Sequence, residues 1–439
     1  MPEAARAAGA EDNALEKATL RQVTRRLLPF LMVCYFVSFV DRVNVGFAAL
    51  EMNRDLHLSP AVFGFGGAIF YISYFLFEVP SNLVMERVGA RRWIARIMIT
   101  WGIIAAALAL VTGPLSFYML RFLLGAAEAG FFPGIVLYLT YWFPAEHRAR
   151  IVGLFTVAIP VSSLLGSPIS AALLSLDGSL GLRGWQWMFI IEAAPAVLLG
   201  LACLVALADR PTEARWLGAA ERAWLEARLA AERARPKPVG RQSLWQVLRH
   251  RHVLALAIVL GGSTAASSSL QLWQPQIIKA FGLSTMETGL LNAVPFAVGS
   301  LAMVLWGWRS DRVGERVWHT ALPLALTALA LAATLTTDAL FPTLVFLSLA
   351  VTGIYAMKGP FWALSSEWLA ADATAAGLAQ INAVSNLAGS GAVYLIGVIK
   401  NGTGSYPLAL LPLVALAATA SLIVLTLGRA QQPAARPAQ

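Results

Sequence analysis

The chain has 439 residues, of which 58% are hydrophobic and only 13% charged, with a mean hydropathy of +0.67. Soluble domains carry about 25% charged residues, so this composition excludes an ordinary soluble enzyme and points to a membrane protein of many spans. The net charge of +9 is spread over short segments between apolar runs, with no basic stripe interleaved with aromatics, and so does not point to nucleic acid.

Segments long and apolar enough to cross a bilayer as helices fall at 27–50, 61–84, 93–112, 115–142, 151–176, 187–207, 252–278, 287–308, 317–336, 341–365, 374–399 and 406–428. The chain thus divides into a tail (1–26, disordered or weakly helical), a six-helix half (27–207), a connection (208–251), a second six-helix half (252–428) and a short tail (429–439). The tail lacks the features of a cleavable signal peptide. In the connection, Trp216, Leu217, Ala220, Trp224, Leu225 and Leu229 make an amphipathic helical stripe. Twelve spans place both termini on one side. Segments on that side hold 26 of the 33 Lys and Arg, against four on the other (Arg54, Arg183, Lys279 and Lys400). The positive-inside rule then makes both termini cytoplasmic.

Three cations lie within the spans: Arg42, Arg121 and Lys358. Each intramembrane charge costs about 2.5–3.5 kcal/mol on insertion scales, and such residues usually face a cavity or a partner. In the first span, Asp41, Arg42 and Asn44 read as a binding and protonation site; the plainer alternative is a structural ion pair. In the fourth, Arg121 and Glu128 are seven residues apart and share a helix face. They are either a pair joining helices or, with Asp41 and Arg42, the lining of an aqueous cavity. Glu192, near the start of the sixth span, is a third acid that can take part; a Glu near a span start is often structural. In the seventh, Gln271 and Gln274 can hydrogen-bond a hydroxy acid, while for Ser267–Ser269 interhelical hydrogen bonding is the alternative. The tenth offers Lys358 and Trp362, the eleventh Asn382 and Asn386. Lys358 binds a second carboxylate or pairs with an acid.

The loop after the second span, Glu86-Arg87-Val88-Gly89-Ala90-Arg91, recurs after the eighth as Asp311-Arg312-Val313-Gly314-Glu315-Arg316, 225 residues later. Internal repeats of span groups mark transporters, with the substrate site near mid-membrane between the repeats. Such charged turns can latch the two halves or simply mark topology.

With Gly307, the second copy matches the loop signature of the major facilitator superfamily, which the chain resembles; the first departs from it at Asn82 and Glu86. Phe39–Asn44, Arg121–Glu128, Phe131–Gly134, Trp142–Pro144 and Trp185–Trp187 resemble the anion:cation symporter family within it. Gly89–Arg96 is similar to its bacterial organic-acid carriers, tartrate-type carriers among them. Ser365 and Ala392-Val393 stand where the family often carries Pro and Gly-Pro. The resemblance implies an all-α fold of twelve transmembrane helices in two pseudo-repeat halves, a monomer in the bacterial inner membrane. It also implies proton-coupled uptake of an organic carboxylate: a tartrate-like hydroxy dicarboxylate, a sugar acid or an aromatic acid. Arg42 and Arg121 would bind the carboxylate; Asp41 and Glu128 would couple protons. Asn44, Gln271, Lys358, Trp362 and Asn386 complete the expected substrate site, and Gly307, Asp311, Arg312, Gly314 and Arg316 with Glu86, Arg87, Gly89 and Arg91 the gating loops. No cofactor, metal or enzymatic activity is expected: Cys34 and Cys203 lie in apolar segments, and the five histidines have no metal or triad spacing. Export, uncoupled diffusion of an organic anion, or a sensor on the same scaffold are the alternatives.

Overall fold

The computed structural model describes residues 2–234, 251–369 and 374–431. Twelve helices are long and apolar enough to span: Asp12–Asp55, Pro60–Val88, Ala90–Leu110, Pro114–Thr140, Ala145–Leu174 and Gly184–Ala206, then Arg251–Lys279, Thr285–Val313, Val317–Thr336, Leu340–Trp368, Gln380–Thr403 and Tyr406–Arg429. Below they are the first to twelfth spans.

The two halves repeat in their local chemistry. The second and eighth spans each begin on a serine cap, with Ser59 Oγ accepting from the Val62 amide and Ser284 Oγ from the Glu287 amide. Each ends on a glycine at positive φ, Gly89 at 97° and Gly314 at 72°. The caps keep the 225-residue spacing of the loops, so one start-and-stop signal cuts both helices to 29 residues.

The segment before the first span differs from expectation. Rather than a disordered or weakly helical tail, it is helix continuous with the span. Thr19 and Val23 are buried, Glu16 pairs with His147 at 3.0 Å, and Gln22 Nε2 donates to the Trp216 carbonyl at 2.6 Å. The connection supplies the clamp. Its helix Ala219–Ala234 buries Leu225 and Leu229, and Glu232 pairs with Arg148 at 2.6 Å. Residues 235–250 of the expected amphipathic stretch lie outside the described residues.

Among the described residues four spans are interrupted, each ahead of a proline, which lacks an N–H and frees the carbonyl four residues back. The fourth breaks at Ala129–Gly130, before Pro133; the fifth at Val157, before Pro160; the tenth at Met357, before Pro360; the twelfth at Leu410, before Pro412. The fourth and tenth occupy matching places in the two halves.

The halves meet where the second span packs on the eleventh, the fifth on the eighth and the first on the seventh. The seam lies from mid-span toward the end opposite the termini. There Asn292 Nδ2 donates to Ser167 Oγ at 2.8 Å, Ser390 Oγ donates to the Ala68 carbonyl at 3.0 Å, and Phe63 sits edge-on to Trp273. The backbones approach closely: a Cβ on Gly64 would lie 3.1 Å from the Gly397 Cα. At the termini end, a Cβ on Gly153 of the fifth span or Gly307 of the eighth would meet nothing within 4 Å.

Candidate functional site

Arg42 and Glu128 form an ion pair at 2.6 Å near mid-span; the Glu128 side chain is 2% exposed and that of Arg42 18%. The guanidinium gives both Nε (2.9 Å) and Nη2 (2.6 Å) to the same oxygen, Oε1, which also accepts from Ser38 Oγ at 2.8 Å. Three aromatic rings surround the Arg42 charge, Phe39 at 4.8 Å, Tyr74 at 5.3 Å and Phe70 at 5.6 Å from its Cζ.

Arg121 lies on another side of the same phenyl ring, its Cζ 4.6 Å from the Phe70 centroid. It is 4% exposed, donates Nε to the Gly66 carbonyl at 3.3 Å, and has no acid partner among the described residues. Two guanidinium groups thus converge on one ring, and among the described residues only that of Arg42 makes an ion pair. Arginine stays charged and offers a planar fork of donors, so the arrangement favours an incoming anion.

The expected pairing therefore changes. Arg121 and Glu128 share a face of the fourth span, but Arg42 from the first span takes the carboxylate. Asp41 does not join the arginines. It accepts from Trp101 Nε1 at 2.6 Å and from Asn44 Nδ2 at 3.3 Å, inside the first half. Neighbouring residues on a helix point about 100° apart, which sends Asp41 to the third span and Arg42 to the fourth.

The second half contributes another face. Gln271 Nε2 donates to the Tyr355 hydroxyl at 3.3 Å. Lys358, with no acid partner among the described residues, lies with Nζ 4.9 Å from the Tyr355 ring. Trp362 is one turn further along the same helix face and is 37% exposed. Asn386 is half-buried on the eleventh span. Tyr355 was missed as a candidate; its place three residues before Lys358, on the same face, was the available signal.

The break in the fourth span falls directly after Glu128. Gly130 has φ of 85°, and a Cβ there would lie 2.4 Å from Ser81 Oγ. Gly130→Ala is therefore expected to destabilise the protein by about 1–3 kcal/mol through backbone strain and the clash, read as a lower midpoint of thermal unfolding in detergent.

In this conformation the described contacts of the charged loops go to their own half or to the start of the connection. Asp209 Oδ1 accepts from the Arg91 amide at 2.8 Å and fills the space above Gly89, while Glu86 and Arg87 are exposed. Arg316 pairs with Asp311 at 2.8 Å and reaches Glu367 at 4.0 Å; Arg312 lies over the Trp308 ring. Burial of Glu315 opposes its ionisation, but donors from Trp318 and His319 outweigh it and hold its carboxyl below the usual range.

Comparison with known proteins places these features. Residues 31–393 match the family model described as Major Facilitator Superfamily. A protein from Agrobacterium vitis named "Putative tartrate transporter" is 50% identical over 94% of this chain and 96% of its own length. A "Quinolone resistance transporter" from Acinetobacter baumannii is 38% identical over 89% of this chain and 90% of its own. A solved structure of a bacterial homolog of the human lysosomal transporter Spinster superposes with a TM-score of 0.74 at 17% identity, covering 92% of this chain and 96% of that one. With a repeated twelve-span fold, a family match over most of its length and full-length relatives that are carriers, this chain belongs to the Major Facilitator Superfamily of membrane transporters.

Proposed function

We propose that the protein is a proton-coupled carrier that takes up an organic carboxylate by alternating access across the bacterial inner membrane, working as a monomer with both termini cytoplasmic. The observation that carries this reading is the unequal neutralisation of Arg42 and Arg121: Glu128 occupies one guanidinium and leaves the other for a substrate. The relative named as a tartrate transporter supports a hydroxy dicarboxylate. Lys358 is a third cation for the second carboxylate, and Gln271 and Asn386 are amides for the hydroxyls; Asn44, expected among them, is buried and turned to Asp41 instead. On this reading the present conformation is open to the cytoplasm.

The cycle follows from competition for one cation. A proton on Glu128 weakens its hold on Arg42. The substrate carboxylate replaces it, bidentate to a guanidinium, and Asp41 takes part in the proton step. The halves then exchange which end is sealed, and proton and anion leave on the other side. Glu86, Arg87, Gly89 and Arg91, with Gly307, Asp311, Arg312, Gly314 and Arg316, act as gating loops in that exchange.

The test is uptake into proteoliposomes under an imposed inward proton gradient, with labelled tartrate, a sugar acid and an aromatic carboxylate offered in parallel. Accumulation of one of them, abolished by a protonophore, is the expected result. Equilibration that ignores the gradient would leave a facilitator and remove the proton roles of Asp41 and Glu128. Export of an organic anion is the second reading, favoured by the relative named for quinolone resistance; substrate efflux driven by the opposite gradient would select it.

A further inference from the structure

We propose that Asp41, Asn44 and Glu192 form a second proton-binding site, in which two buried carboxyl groups share one proton on the side of the first span turned away from the arginines. Asp41 is 4% exposed, Asn44 1% and Glu192 5%. Asp41 is held by Trp101 Nε1 at 2.6 Å and Asn44 Nδ2 at 3.3 Å. Glu192, on the sixth span, accepts from Ser170 Oγ at 2.7 Å through Oε1. The first and sixth spans pack together, which sets Glu192 beside Asn44 and within electrostatic reach of Asp41.

Two atoms in this cluster are buried and lack a hydrogen-bond partner: Glu192 Oε2 and Asn44 Oδ1. The orientation of Asn44 follows from its bond to Asp41, since an ionised carboxylate only accepts. Its oxygen is then an acceptor in need of a donor. An ionised Glu192 has none to give. A protonated Glu192 carries an O–H, which would make Oε2 a donor and offer Asn44 Oδ1 the proton it lacks. Neither acid makes an ion pair among the described residues, and two uncompensated negative charges at this depth would be strongly unfavourable.

The facing groups agree. The third span contributes an indole N–H, the fifth a hydroxyl and the first the Asn44 amide; Asp41 is the titratable partner, and Glu128 of the fourth span also acts on Asp41 through its charge. The amide lets the proton change owner. Turned one way, Asn44 donates to Asp41 and accepts from protonated Glu192; turned over, it donates to ionised Glu192 and accepts from protonated Asp41. One proton enters from water and one returns to water, with no bond made to any other group.

This inference rests on the proton-coupled reading for its role in transport, where it adds one proton per substrate to the one carried by Glu128. The site itself is open to a measurement that needs no transport. Infrared difference spectra of the purified protein, with and without deuterium exchange, should show a protonated-carboxyl C=O band that is lost in Glu192→Gln and kept in Glu192→Asp. In proteoliposomes, the reversal potential should report one proton fewer per substrate for Glu192→Gln than for wild type, with Glu192→Asp restoring it. A band that persists in Glu192→Gln, or a coupled wild type whose stoichiometry that substitution leaves unchanged, would overturn the shared-proton site. A wild type with the band but without coupling would instead overturn the transport reading and leave the site standing.

Discussion

Arg121→Ala is expected to lower uptake at subsaturating substrate by about a hundredfold or more. Truncating one partner of a buried, hydrogen-bonded charge pair costs about 2–5 kcal/mol, and each 1.4 kcal/mol is about tenfold. Arg121 should sit at the high end because no acid is bonded to it among the described residues, which leaves its donors for the substrate. Arg42 is different: its removal would also strand Glu128. Arg121→Lys should recover little, since an ammonium keeps the charge but not the planar fork or the stacking on Phe70. Direct binding to the purified protein, beside initial rates of uptake, checks both. Binding within about threefold of wild type in Arg121→Ala would remove this residue from the substrate site.

The second large effect belongs to Glu128→Gln: exchange of labelled for unlabelled substrate across the vesicle should continue, while proton-driven accumulation falls to the level of a protonophore-treated control. The amide keeps the shape and its oxygen can still accept from Ser38 and Arg42. It cannot cycle between a charge that holds Arg42 and a neutral group that releases it. Removing one member of a buried pair typically costs about 3–5 kcal/mol because the other is left uncompensated; here the incoming carboxylate can supply the missing charge, so tighter substrate binding at high pH should accompany the loss of accumulation. Asp41→Asn should also uncouple, through the acid cluster rather than through Arg42. Gradient-driven accumulation that survives in both variants would be fatal to the assignment.

Much of this protein could be read before any coordinates. The twelve spans follow from runs of apolar residues, and all twelve appear with shifted ends. The recurrence of Glu86–Arg91 at Asp311–Arg316 pointed to duplicated halves, and the structure extends it to Ser59 and Ser284 at the opposite ends of the same helices. Arg42, Arg121 and Glu128 stood out because ions in a bilayer need a reason. The partnerships were not legible. Which arginine meets Glu128 depends on the rotation of the first span relative to the fourth, and sequence spacing says nothing about two different helices. Adjacency misled in the other direction: Asp41 and Arg42 are neighbours in the chain but, about 100° apart on their helix, serve different partner spans. Glu192 had only its own position to speak for it, and its meaning appears once Asn44 is seen between two acids. The break at Gly130 was announced by Pro133 three residues later, a signal visible in the sequence.

The seam between the halves sets an energy scale for turnover. In lipid no hydrophobic effect draws two apolar helices together, and association relies on close packing and on hydrogen bonds worth on average about 0.6 kcal/mol each. A contact built from glycine backbones, Ser167 with Asn292 and Ser390 with a carbonyl is therefore shallow, even though it is extensive. That is what a machine of this kind requires. Swinging a two-state equilibrium from 1:99 to 99:1 takes about 5.5 kcal/mol, and one elementary charge crossing a membrane at 100 mV releases about 2.3 kcal/mol. A seal of oily side chains in water would be too deep for so modest a driving force to reopen. Because the seal lies within lipid and rests on small residues, it stays within reach of one or two protons, and the ease of breaking it is as much a part of the design as its closure.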